Sequence, residues 1–224
     1  MRSFKDVYAT AVLHKGGEGN VESSLPIYCS ESELRLKSNS YYLSVMSRRI
    51  FRAGLRHSMV DAKWPAFEEV FKSFEPMAVA MMSDEDLEKL MHDARIIRHF
   101  GKIRAVRGNA IWMLDVIREF GSFGNMIADW PSNNIIDLWA FLKKNGTQMG
   151  GQSGPSFLRM VGKDTMLLTD DVVSVLKAEG VVEKIPTSQK DLRKVQDVFN
   201  LWKQESGRAL SEISRITSFT ANAQ

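Results

Sequence analysis

Residues Thr147 to Arg159, TQMGGQSGPSFLR, concentrate backbone freedom in a chain that otherwise reads as helix. Gly150, Gly151 and Gly154 fall close together, and Pro155 follows them. A short glycine turn between two helices lets backbone N–H groups point outward together. They can then hold an oxyanion with no side chain in the way. Pro155 suits the first turn of the helix that follows, and its N-terminus would face the same oxyanion. The same residues also fit an ordinary glycine-capped helix corner. Both readings demand two helices joined by a tight turn, over roughly residues 133–163.

The rest of the chain agrees with that demand. Phe4, Val7, Tyr8, Ala11 and Val12 mark one apolar helix face, which KGGEGN ends. Ser30 with Glu33 has the spacing of a capping box. Pro65 suits the first turn of WPAFEEVFKSF, and Ser83 opens SDEDLEKLMHDA with carboxylates in its first turn. A long helix is predicted from about His99 to Phe120, and further ones near 133–144, 155–162, 170–179, 188–204 and 208–219. Strand signals are nearly absent and no repeat is found. The expected fold class is all-α, with roughly ten helices in a single domain over residues 1–224.

Composition excludes several classes. Hydrophobic residues make up 44% of the 224 and charged residues 25%, ordinary for a globular protein. No apolar run approaches the ~18 residues of a membrane span, so no membrane partner is expected. The start MRSFKDVYAT has no apolar core of signal-peptide type, and Cys29 is the only cysteine, so a reducing cytoplasm is the expected setting. His14, His57, His92 and His99 are scattered. With one cysteine, no zinc cluster of the usual spacing exists, and no metal or cofactor is expected.

Two segments carry charge in a pattern. ARIIRHFGKIRAVRGNA holds Arg95, Arg98, Lys102, Arg104 and Arg107 with no acid between Arg95 and Arg107. Arg98, Lys102 and Asn109 share a helix face, which either tracks phosphates or is simply solvated. Downstream, TMLLTDDVVSVL offers Thr169 or Asp170 as a helix cap, and Asp170 and Asp171 as carboxylates. Such a carboxylate can satisfy helix N–H groups, or it can stabilise an oxocarbenium-like transition state or orient a water.

With these residues on the page, the sequence resembles the 3-methyladenine DNA glycosylase I family of the helix-hairpin-helix glycosylases. The likeness is densest from Ala53 to Ala110, through the Ala53-Gly54-Leu55 triplet, Phe74 to Pro76 and IIRHFGKI. It returns at MGGQSGPSFLRMVG and TDDVV, so about half the chain takes part. The resemblance implies two helical lobes, damaged double-stranded DNA as partner, a monomer acting at the bacterial nucleoid, and no membrane. It also implies extrusion of a damaged, alkylated, 3-methyladenine-like base and hydrolysis of its N-glycosidic bond without a lyase step.

The resemblance assigns roles. Gly150, Gly151, Gln152, Ser153 and Gly154 would meet phosphates, helped by Arg159, Lys163, Arg98 and Lys102. The base pocket would be lined from residues 46–64, with Arg49, Phe51, His57 and Trp64 as its candidates. Asp171 or Asp170 would be the carboxylate near the sugar, and Asp171 is preferred because a capping Asp170 would have its oxygens occupied. Four positions depart from the family pattern. Arg49 stands where the family places a base-binding glutamate, His57 where it places an aromatic residue, and Asp171 and Val175 where it places zinc ligands. A catalytically inactive relative that binds DNA is therefore the alternative expectation.

Overall fold

A computed structural model describes residues 1–221, and among them there is no β-strand. In chain order the α-helices are α1 (Phe4–Lys15), α2 (Glu18–Glu22), α3 (Glu31–Leu36), α4 (Asn39–Arg52), α5 (His57–Ala62), α6 (Trp64–Val70), α7 (Pro76–Ala80) and α8 (Asp84–Leu90). They continue with α9 (Phe100–Phe120), α10 (Phe123–Asp129), α11 (Ile135–Asn145), α12 (Ser153–Val161), α13 (Asp170–Ala178), α14 (Gln189–Ser206) and α15 (Leu210–Ser218). More helices form than the roughly ten expected, because segments such as WPAFEEVFKSFEPMAVA are broken by turns, here at Lys72 to Phe74, where φ is positive. Pro65 and Pro76 both sit in first turns, where a missing N–H costs nothing.

Local chemistry explains the boundaries. Ser30 and Ser83 close reciprocal capping boxes with Glu33 and Asp86. Ser38, Ser122 and Ser188 each accept from a backbone N–H in the first turn of α4, α10 and α14. Gly16 and Gly207 end α1 and α14 in the left-handed region. None of the helices in the described residues is long and apolar enough to cross a membrane.

The chain forms two compact units. One comprises residues 1–28, 131–138 and 162–224, of which the structure describes those to 221. Here α15 packs on α1, α13 and α14, with Phe4 tilted against Trp202 at 6.2 Å. Asp164, only 8% exposed, ties this unit together. It accepts from the Ser211 N–H at 2.9 Å and from Lys203 Nζ at 3.3 Å.

The other unit comprises residues 29–130 and 139–161. Its centre is α9, which buries Ile103, Val106, Ala110 and Met113 against α4 and α7. Phe51, Trp64, Phe67, Phe71 and Phe74 form a continuous aromatic cluster beside it, with centroid separations from 4.5 to 6.4 Å along the chain of contacts. Offset and tilted rings of this kind add to the energy of burial alone. Lys72, Ser73 and Phe74 form a tight turn with positive φ throughout, and that turn delivers Phe74 into the cluster, fully buried. The Phe74 burial offsets a backbone cost of about 1–2 kcal/mol per left-handed residue.

Candidate functional site

The glycine segment is a tight turn between α11 and α12. Gly146 packs so closely that a Cβ there would stand 2.7 Å from Met149 Cγ and 2.9 Å from the Leu142 carbonyl. Gln148 and Gly151 both have positive φ, 61° and 56°. Glycine adopts the second without steric cost, and a Cβ at Gly151 would point into open space. Among the described residues, the backbone N–H groups of Gly150 and Gly151 have no hydrogen-bond partner. Two successive free N–H groups at a left-handed turn form a concavity suited to an anion. Gln152 is exposed, whereas Gly154 is buried in the first turn of α12, its Cα facing the Met149 carbonyl.

The turn is not left to its own glycines. Asn109 of α9, fully buried, donates from Nδ2 to the Thr147 carbonyl at 3.0 Å and accepts from the Thr147 N–H at 2.7 Å. Gln148 Nε2 adds a bond to the Gly101 carbonyl at 2.9 Å. Gly108 gives Thr147 room, since a Cβ there would lie 2.9 Å from its Oγ1. The sequence placed Asn109 on the basic face with Arg98 and Lys102. Its spacing gave no sign that it reaches across to the turn 38 residues later.

Beside this contact, Gly101, Arg104, Ala105, Arg107, Gly108, Ile111 and Thr147 line a depression of about 320 Å³. Arg107 is held by Asp84 at 2.5 Å and by the Met82 carbonyl at 2.8 Å. Arg104 is exposed, with its guanidinium 5.8 Å from the centre of the Phe100 ring.

The structure separates the basic stretch that the sequence grouped together. Arg98 is exposed. Arg95 pairs with Glu69 and Asp93 at 2.9 and 2.8 Å. Lys102 turns inward, 8% exposed, and donates to the carbonyls of Phe51 and Ala53 at 3.2 and 2.7 Å. Burial, then the neighbouring Arg49, lowers its pKa. Lys163 is also buried, 4% exposed, whereas Arg159 is half-buried.

Of the expected pocket residues, Phe51 and Trp64 are core. Phe67 and Phe74 stack on Trp64 at 4.8 and 5.4 Å, and the Arg48 guanidinium lies 4.8 Å from its ring centre. The Trp64 Nε1–H is bonded to Ser44 and Glu68, both at 3.0 Å. His57 is exposed at the start of α5, and Arg49 is half-buried on α4.

In the other unit, Asp170 and Asp171 are exposed in the first turn of α13. The cap is Thr169, whose hydroxyl accepts from the Val172 N–H at 3.3 Å. Asp170 is therefore not occupied as a cap, and the two aspartates stand on equal terms. Val175, at a zinc-ligand position of the family pattern, is buried and apolar. Among the described residues no three His, Cys, Asp or Glu side chains are grouped as a metal site. These residues do not fit a zinc ion.

Comparison with known proteins adds the family. The sequence matches the methyladenine glycosylase family over residues 36–149. The chain belongs to that family. DNA-3-methyladenine glycosylase 1 of Escherichia coli (strain K12) is 48% identical over 59 residues, which are 26% of this chain and 32% of that protein. The chain thus spans about a third of the length of that curated relative. Among solved structures, 3-methyladenine DNA glycosylase I from Staphylococcus aureus aligns with a TM-score of 0.51 and 23% identity, over 64% of this chain and 83% of that one. The 8-oxoguanine glycosylase/lyase of Methanocaldococcus jannaschii, solved with DNA, aligns with a TM-score of 0.56 and 15% identity over 95% of both chains. At these identities the structures speak for the fold, which is the all-helical one of the helix-hairpin-helix DNA glycosylases.

Proposed function

We propose that this methyladenine glycosylase family member is a DNA repair glycosylase. It binds damaged duplex DNA, takes an alkylated base out of the stack and hydrolyses its N-glycosidic bond. The observation that carries the reading is the pair of free N–H groups at Gly150 and Gly151, in a turn held rigid by Asn109, within a chain of this family. A preorganised pair of donors suits a phosphodiester oxygen better than a neutral ligand. Gln152, Ser153 and Arg159 continue the contact along the strand, and the exposed Arg98 adds charge on the same unit.

The chemistry needs little more than position and one carboxylate. Water attacks C1′ as the bond to the base nitrogen breaks, and the electron pair leaves with the base. The proton lost by the water is returned to the base through solvent. A carboxylate of Asp170 or Asp171 stabilises the positive charge that builds on the sugar. No lysine lies in the QSGPS segment to form a Schiff base, so the product is an abasic site in an intact strand. In this reading the base is held by the half-buried Arg49 and the exposed His57.

The test is base release from duplex DNA carrying alkylated bases, with every released purine identified by chromatography. Release of a modified base supports the proposal. A second reading, a relative that binds DNA without cutting, is favoured by Arg49 in the base site. It predicts binding that weakens steeply with salt and no base released at all.

A further inference from the structure

The depression between α9 and the glycine turn holds two polar groups that the fold does not use. All of its lining belongs to the unit that carries the turn, and no carboxylate is part of that lining. Gly101 and Gly108 leave its floor without side chains, with Ala105 between them, so a ligand can approach α9 closely. Most of the polar groups here are spent. The Gly101 carbonyl accepts from Gln148 Nε2, and both backbone groups of Thr147 are bonded to Asn109. Arg107 donates to Asp84 and to the Met82 carbonyl.

Arg104 and the Thr147 hydroxyl remain. Among the described residues, the Arg104 guanidinium makes no ion pair and no hydrogen bond, and the Thr147 hydroxyl has no partner. Arg104 is exposed and rests only beside the Phe100 ring, 5.8 Å from its centre. An unpaired guanidinium and a free hydroxyl, in a depression lined by no carboxylate, suit an oxyanion.

The turn itself supplies the likeness of such a ligand. Thr147 and Gly150 are separated by at most about 11 Å of chain. A strand held at the N–H groups of Gly150 and Gly151 therefore reaches the depression within a few nucleotides. The turn also has a cation of its own. Lys143 of α11 runs its stem past Gly150, with Cγ 3.6 Å from where a Cβ would stand, and it is exposed with no ion pair among the described residues.

We propose that the depression is a second phosphate site of the DNA interface, where Arg104 and the Thr147 hydroxyl hold a phosphodiester of the strand that the glycine turn grips. The inference rests on the reading of that turn as a DNA contact. Arg104 takes the phosphate role expected of Lys102, which the fold turns inward. Asn109 then ties the two phosphate sites together, because it fixes Thr147 between them.

Binding of a labelled DNA duplex is measured by fluorescence anisotropy over a range of salt concentrations. Arg104→Ala is expected to reduce the slope of log affinity against log salt by about one, the share of a single phosphate contact, and Arg104→Lys to restore it. Thr147→Val keeps the shape and removes the hydroxyl, so it is expected to weaken binding a few-fold with the slope unchanged. Lys143→Ala, at the turn, loses about as much slope as Arg104→Ala. Arg118→Ala removes the same charge about 21 Å further along α9 and is expected to keep the wild-type slope. A wild-type slope in Arg104→Ala, or an equal loss in Arg118→Ala, overturns the inference, and base release by the wild-type protein would leave the glycosylase proposal standing. The expected slopes without any base release uphold the inference and sink the glycosylase proposal. A wild-type protein that binds no duplex overturns both.

Discussion

Replacing Asn109 with alanine cuts the tie between α9 and the glycine turn. The side chain is fully buried and makes two bonds to Thr147, at 3.0 and 2.7 Å. Each is worth about 1 kcal/mol net, and the cavity left by a buried amide adds about another. The expected loss is about 2–4 kcal/mol, or roughly 5–15 °C in Tm for a chain of this size. The functional effect is separable from the stability effect. At a temperature where Asn109→Ala is still folded, its turn has lost the contact that fixes Gly150 and Gly151, so DNA affinity is expected to fall about tenfold. Asn109→Asp keeps the acceptor for the Thr147 N–H and sets a carboxylate against the Thr147 carbonyl, so it is expected to destabilise at least as much. Urea unfolding gives the first quantity and fluorescence anisotropy with duplex DNA the second. A loss below about 1 kcal/mol with unchanged DNA affinity would refute the reasoning.

Three other outcomes follow from single contacts. Gly151→Ala and Gly180→Ala both place a Cβ in open space at positive φ, 56° and 71°, so each is expected to cost about 1 kcal/mol, but only Gly151→Ala to weaken DNA binding several-fold; equal DNA affinities would remove Gly151 from the interface. Asp164→Ala strips an acceptor from the Ser211 N–H and a partner from Lys203, and is expected to cost about 2–4 kcal/mol in thermal or urea unfolding; a loss under 1 kcal/mol would contradict the role given to it. Hydrogen bonds from Arg52 hold the Asp61 carboxyl below the usual carboxylate range, so the unfolded state binds more protons as pH falls through that range and this pair's contribution is lost there. Asp61→Asn is therefore expected to flatten part of the acid slope of the urea midpoint, and an unaltered slope would count against the pairing.

Helix type and order were legible in the sequence because they rest on local signals. Ser30, Ser83 and the two prolines act within a turn of their own positions, and α9 was placed from about His99 to Phe120 against the observed Phe100–Phe120. The glycine turn was legible for the same reason. Side-chain destinations were not. Lys102 and Asn109 share a face with Arg98 on a helical wheel, yet two of the three point inward, because their partners lie 38 to 51 residues away. Phe51 and Trp64 are pocket candidates whose size and helical spacing favour a core, and the aromatic residues contributed by α6 and the turn after it place them there. Position 49 is unusual only against the family pattern, which places a glutamate there. Its buried, unpartnered Nε needed coordinates.

The central claim is hydrolytic release of a damaged base. The most direct measurement is single-turnover release from lesion-bearing duplex DNA, with Asp170→Asn and Asp171→Asn run beside the wild type and strand integrity followed on the same samples. The account predicts that the wild-type protein releases the free base and leaves an intact strand with an abasic site. At least one of the two variants should bind DNA normally and release nothing. No base released by wild-type protein that still binds the duplex would contradict it.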